Sequence, residues 1–208
     1  MRVLVLLIVT LPFIGAALLR PDRDPARASI PVQEQEEQEK SFLIDDFSKD
    51  DNTSALGTQW RMFTDRVMGG ISDATFAFDT VDEKRCIRLK GNVSLANNGG
   101  FIQVALSLEK KGVSFDASRF RGIRIWGRGN GKTYAIHLRS KHTRLPWHYY
   151  GAKFVARAEW LQIDLPFEAF EPEYLQRKLD ASSLSRIAIV AIGEEFEADV
   201  AVSRLEFY

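Results

Sequence analysis

The stretch Phe101-Ile102-Gln103-Val104-Ala105-Leu106-Ser107-Leu108 alternates without a break. Ile102, Val104, Leu106 and Leu108 fall on one side of an extended chain, and Gln103, Ala105 and Ser107 on the other. A period of two is the signature of a strand with one buried face. The same rhythm recurs on either side of it. Residues 86–90 set Ile87 and Leu89 against Arg88 and Lys90, and 122–126 set Ile123 and Ile125 against Arg124 and Trp126. Residues 134–139 alternate Tyr134, Ile136 and Leu138 with Ala135, His137 and Arg139, and 160–165 turn Leu161, Ile163 and Leu165 inward. The run 187–192 is apolar on both faces, which predicts a central strand, and a last strand over about 200–208 closes the domain.

Turn signals separate these runs: Asn97-Asn98-Gly99-Gly100, Gly127-Arg128-Gly129-Asn130-Gly131 and Pro166. The second reads as a hairpin turn, because no helix follows it to make a phosphate cradle. Only 174–179 carries a short helical pattern. Roughly ten short strands with such punctuation predict an all-β sandwich with at most one or two short helices. A parallel α/β sheet is excluded by the lack of long amphipathic helices.

Bulk properties narrow the function. A length of 208 residues suits one domain with a substantial core. A formal net charge of zero gives no support to nucleic-acid binding. The single cysteine, Cys86, excludes an internal disulfide and a cysteine-based zinc site, and His137, His142 and His148 form no metal spacing, so no metal or cofactor is expected.

The N-terminus reads as a targeting segment. Arg2 precedes an apolar run of about 17 residues that ends at Leu19, between a signal-peptide core and a full span in length. Asp22 and Asp24 follow it, whereas a mitochondrial presequence is amphipathic, arginine-rich and poor in acids. Residues 1–28 are therefore expected to be a signal peptide or membrane anchor. That gives a secreted, extracytoplasmic or membrane-anchored chain and disfavours a mitochondrial one. The run PVQEQEEQEK opens at Pro31, so 29–40 reads as a polar linker and 41–208 as the folded domain.

Within that domain, Asp65-Arg66-Val67-Met68-Gly69-Gly70-Ile71-Ser72 is the most distinctive motif. Paired glycines mark a backbone that reaches positive φ or passes close to another group, and the flanking Asp65, Arg66 and Ser72 can lock such a turn by hydrogen bonds. DRVMGGIS, followed some twenty residues on by GNVSLANNGGF, resembles the complex I intermediate-associated protein 30 family. FDASRFRGIRIWGRGNGKTYAIHLR, WHYYGAKF, WLQIDLPFEAFEP, RIAIVAIG and the terminal FY continue the pattern in order, so the resemblance covers about 42–208. It implies a galactose-binding-like jelly-roll sandwich and a non-catalytic role in assembling NADH:ubiquinone oxidoreductase, with a protein assembly intermediate as partner. Related sandwiches bind carbohydrate, which makes a secreted carbohydrate-binding module the alternative.

The residues themselves favour binding over catalysis. Asp45-Asp46 and Glu194-Glu195 are adjacent pairs whose members point to opposite faces of a strand, and Asp45 and Asp46 read as turn or surface groups. No carboxylate is matched to His137 for proton transfer. The run Thr143-Arg144-Leu145-Pro146-Trp147-His148-Tyr149-Tyr150 concentrates aromatic faces beside hydrogen-bonding groups, suited to sugar rings or protein surfaces. Alternation puts Trp147 and Tyr149 on one face and His148 and Tyr150 on the other, so one pair is exposed or lines a groove. The candidate ligand- or partner-binding residues are Asp65, Arg66, Gly69, Gly70, Ser72, Asn97, Asn98, Gly99, Gly100, Arg139, Trp147, His148 and Tyr149. From 117 to 158 the chain has ten basic residues and no acid, which predicts either pairing with acidic strands across the surface or a basic face for an anionic partner.

Overall fold

The computed structural model describes residues 41–49 and 51–208. The leader expected over 1–28 and the linker over 29–40 lie outside the described residues. The described residues form twelve strands: β1 Phe42–Asp45, β2 Trp60–Thr64, β3 Asp73–Val81, β4 Lys84–Val93, β5 Phe101–Ser107, β6 Gly122–Gly129, β7 Thr133–Ser140, β8 Tyr149–Val155, β9 Leu161–Pro166, β10 Glu171–Glu173, β11 Leu184–Ile192 and β12 Phe196–Phe207. They pair into two antiparallel sheets. One has the order β3-β4-β12-β6-β9, with β1 also on β12; the other is β10-β8-β7-β11-β5-β2.

The alternation decides which side chains meet between the sheets. Ile102, Val104 and Leu106 of β5, Ile187 and Ile189 of β11, and Ile136 and Leu138 of β7 are buried against Ile87 and Leu89 of β4, Ile123 and Ile125 of β6, and Val200, Val202, Leu205 and Phe207 of β12. Each such aliphatic side chain contributes about 1.5–3 kcal/mol by leaving water. At one end Phe115 stacks on Phe207 at 4.9 Å, with Phe42 and Phe120 beside them. At the other end the Tyr134 hydroxyl crosses between the sheets. It donates to Asn130 Oδ1 at 2.7 Å and accepts from the Asp199 amide at 2.9 Å, and burial pushes its pKa up to about 12.

The central strand expected at 187–192 is β11, flanked by β5 and β7. Other details differ from the sequence reading. The last strand begins at Phe196 and lies inside its sheet, because its two halves serve different neighbours: 196–202 pair with β4 and 200–207 with β6. No helix forms over 174–179; irregular backbone follows β10 there, with Tyr174 at φ 56. The glycine-rich segment after Trp126 is no hairpin, since β6 and β7 belong to different sheets and the connection crosses the sandwich. Leu161 is exposed because β9 is an edge strand there and pairs only with Gly127. Asp45 is buried rather than superficial, accepting from the Trp60 indole at 2.7 Å and from the Phe47 and Ala55 amides. Burial raises its pKa against those bonds.

Candidate functional site

The two glycine-rich motifs come together, and Asp65 is what joins them. DRVM forms a short 3-10 turn after β2, ended by Gly69 at φ 91. The buried Asp65 carboxylate accepts from the Ser72 amide at 3.0 Å and the Ser72 hydroxyl at 2.5 Å, and it reaches the Gly100 amide at 2.6 Å. The same Ser72 hydroxyl accepts from the Ser94 amide at 2.9 Å. Burial works to raise the Asp65 pKa, but these hydrogen bonds outweigh it and hold the group below the usual carboxylate range. Two glycines make room for this carboxylate. A Cβ on Gly70 would fall on it, and one on Gly99 would sit 2.6 Å from its Oδ2. In the second loop Asn97 and Asn98 take positive φ, at 57 and 58, a region asparagine tolerates, and Gly100 follows at φ 133.

These loops form one wall of a groove of about 950 Å3 on the outer face of the β10-β8-β7-β11-β5-β2 sheet. The ladder register lays out the sheet face beneath it, of which Phe63, Gln103, Val190, Ala188 and His137 line the groove itself. Phe63 lies opposite Gln103, which lies opposite Val190 and then Ala135. In the next row Arg61, Ala105, Ala188, His137, Gly151 and Glu171 follow one another across all six strands. The small residues of that row leave the depression. Where Gly151 has no side chain, the His137 ring stacks flat on Tyr149, with centroids 3.8 Å and planes 12° apart.

Arg139 builds the opposite wall. Its guanidinium donates to the carbonyls of Thr143 at 2.8 Å, Leu145 at 2.8 Å and Pro146 at 2.9 Å, folding 143–146 so that Trp147 stands over the groove. Of the aromatic run, Trp147 and Tyr149 line the groove and Tyr150 is buried in the core, as alternation requires. His148 lies outside the lining, its ring edge-on to Trp147 and its Nδ1 buried with no hydrogen-bond partner among the described residues.

The sequence-derived candidates therefore divide. Trp147, Tyr149, Arg139, Asn98, Gly99 and Gly100 line the groove. Asp65, Ser72 and Gly70 are buried behind its rim and shape it. Gly69 caps the turn, Asn97 is exposed, and Arg66 ties the loop by donating to the Ser72 carbonyl at 3.0 Å. Sequence reasoning missed Phe63, Phe101, Glu173, Tyr174 and Arg186, and also Val67, Met68 and Leu95, which supply an apolar rim. The signal for the last three was present: apolar residues inside or beside glycine turns, where no strand face claims them.

Two aromatic side chains of the groove are held in their neutral forms. Burial drives the His137 pKa down to about 3, so the ring is neutral at physiological pH. Burial, and next the nearby Glu173, push Tyr149 up to about 12. Among the described residues no cluster of His, Cys, Asp and Glu has metal-binding geometry.

The described residues thus form a two-sheet antiparallel sandwich with a partly aromatic groove across one outer face. Solved structures agree on the fold. The family 11 carbohydrate-binding module of the cellulosomal cellulase Lic26A-Cel5E of Clostridium thermocellum superposes with a TM-score of 0.61 at 13% identity, over 80% of this chain and 93% of that one. The family 11 module from Clostridium thermocellum in complex with a β-1,3-1,4-mixed-linked tetrasaccharide gives 0.60 at 14%, over 80% and 94%. The family 30 module of the Clostridium thermocellum cellulosomal cellulase Cel9D-Cel44B gives 0.53 at 15%, over 81% and 96%. The fold is thus the galactose-binding-like β-sandwich. A family model described as complex I intermediate-associated protein 30 matches residues 46–198, and the chain belongs to that family. No curated protein matches it.

Proposed function

We propose that this chain is a non-enzymatic assembly protein that holds a segment of a protein partner in the groove. One observation carries the reading: the rim is apolar, and much of it is aliphatic. Val67 is 71% exposed, Met68 51%, Leu95 48%, Trp147 49% and Tyr174 72%. Sugar rings are held by aromatic faces and planar polar groups, whereas exposed Val, Met and Leu gain free energy mainly against other apolar side chains. The family's association with complex I intermediates supports the same reading. The expected leader would place this activity at or beyond a membrane.

The test is recovery of a specific partner by the full chain from its native host, compared with a Met68→Ser/Trp147→Ala variant of unchanged melting temperature. Recovery by the wild type that falls at least tenfold in the variant is expected. No reproducible partner, or equal recovery by both, would contradict the reading. A carbohydrate-binding module is the second reading, favoured by the exposed Trp147 beside the Tyr149–His137 stack and by the fold shared with carbohydrate-binding modules. Calorimetric binding of a β-1,3-1,4-mixed-linked tetrasaccharide, lost with Trp147→Ala, would put it first.

A further inference from the structure

Among the described residues, the strand arginines of the groove face have no anionic partner. On the other outer face Arg88, Arg124, Arg128 and Arg204 each meet a carboxylate: Asp199, Asp164, Asp82 and Glu206. The groove sheet also carries three strand arginines, Arg61, Arg139 and Arg186, and none makes an ion pair with a described residue. Arg186 lies directly opposite Arg139 in the β11–β7 ladder, a like-charge juxtaposition that destabilises a sheet. Burial, and next Arg186, hold the Arg139 pKa below its usual value.

The three guanidiniums are not equally engaged. Arg139 is spent on carbonyls of the 143–146 loop. Among the described residues Arg186 meets only the Phe63 ring, 5.8 Å from its Cζ, and Arg61 makes no side-chain hydrogen bond. Arg61 and Arg186 flank a recess of about 390 Å3 floored by Ala105 and Ser107, which continues the groove past Phe63. The carboxylates Glu171 and Glu173 sit on β10, three strands from β11. At about 4.8 Å per strand that is roughly 14 Å, beyond the Debye length of about 8 Å in physiological salt.

We propose that this end of the groove is an anion subsite in which Arg61 and Arg186 clamp a carboxylate side chain of an acidic, extended segment of the protein partner. The inference rests on the partner-holding reading and gives it chemistry and polarity. Glu173, paired opposite Tyr149, repels acid from the β10 edge, so the carboxylate goes to the arginine end and an apolar side chain to the Tyr149–Trp147 shelf. From β11 to β8 is two strand spacings, about 10 Å, the reach of about three extended residues. The segment therefore carries Asp or Glu about three positions from a large apolar residue.

The experiment pans a random dodecapeptide library against the full chain, then measures the selected peptides on the wild type, an Arg61→Gln/Arg186→Gln variant and Trp147→Ala. Enrichment of Asp or Glu at that spacing is expected, with affinity at least tenfold weaker in the double variant and falling as salt rises. Unchanged melting of the double variant checks its fold. Selected peptides without acidic enrichment, or acidic peptides bound equally by the double variant, overturn the anion subsite; if Trp147→Ala still abolishes their binding, the partner-holding reading survives. Selection of no peptide, with tetragalacturonate bound instead, overturns both.

Discussion

On the outer face built from β6, β9 and β12, Arg124 meets Asp164 through two hydrogen bonds of 2.8 and 2.9 Å, and Arg204 meets Glu206 at 2.8 Å. On the outer face built from β7, β11 and β5, Arg186 meets Arg139. Both faces are the solvent side of antiparallel sheets in one small domain. The first balances its charges internally and covers Trp126 with the Arg204 guanidinium. The second leaves Arg61 and Arg186 without a carboxylate among the described residues, floors a depression with Ala188 and Val190, and raises Val67, Met68, Trp147 and Tyr174 around it. A folded surface that serves only stability satisfies its own groups, and the less satisfied face is the one proposed to take an occupant.

Four measurements break or sharpen this contrast. The largest effect is expected from Asp65→Ala, which leaves the buried Ser72 and Gly100 amides without an acceptor. Urea unfolding should show a loss of roughly 2–5 kcal/mol, since each orphaned donor costs about 1–3 kcal/mol. A loss below about 1 kcal/mol would mean the groove wall does not depend on this junction. Next, Trp147→Ala should weaken partner binding by roughly 2 kcal/mol, about thirtyfold, while melting changes little because the side chain is half exposed.

The third is acid titration of stability. The Arg124 guanidinium holds Asp164 below its ordinary pKa; burial opposes the same shift at Asp199 and Asp65, where Arg88 and the Ser72 and Gly100 bonds prevail. A depressed carboxylate binds fewer protons folded than unfolded near pH 4. Its stabilisation is therefore complete above about 3.9 and is lost as pH falls through the folded value. Asp45, raised by burial, acts oppositely and favours the folded state as it protonates. Asp46, Asp116 and Asp180 are depressed as well, so six carboxylates stand against Asp45 and urea midpoints should fall steadily from pH 5 to pH 2.5; a rise over that window would contradict the assignment. The smallest effect separates the faces by sign. Arg124→Gln should destabilise by about 0.5–1 kcal/mol, as an exposed ion pair does, whereas Arg186→Gln should stabilise by a few tenths through relief of Arg139.

Much of this was legible in the chain. The alternation of 101–108 and 134–139 places Ile102, Val104, Ile136 and Leu138 inside and Gln103, His137 and Arg139 outside, because strand geometry leaves no other choice. The kinship of DRVMGGIS with NNGGF also has a physical content, since their glycines clear space for a single carboxylate. What the sequence hides is pairing across distance. Nothing near Arg186 tells that its ladder partner is Arg139 while Arg124 receives Asp164; that follows from strand order. Asp45 hides for the same reason, as its Trp60 partner arrives from another strand. Val67 and Met68 stand inside the quoted motif, yet their exposure follows from the turn being pinned by Asp65, which only the assembled loops reveal.

The central claim is that one outer face takes a protein occupant and the other does not. A photo-crosslinking residue at Tyr174, on the groove rim, and another at Trp126, on the opposite face, would compare them in the native host. The account requires a discrete protein adduct from position 174, diminished when Arg61 and Arg186 are both changed to Gln, and none from position 126. Equal adducts from both positions, or an adduct from 126 alone, would contradict it.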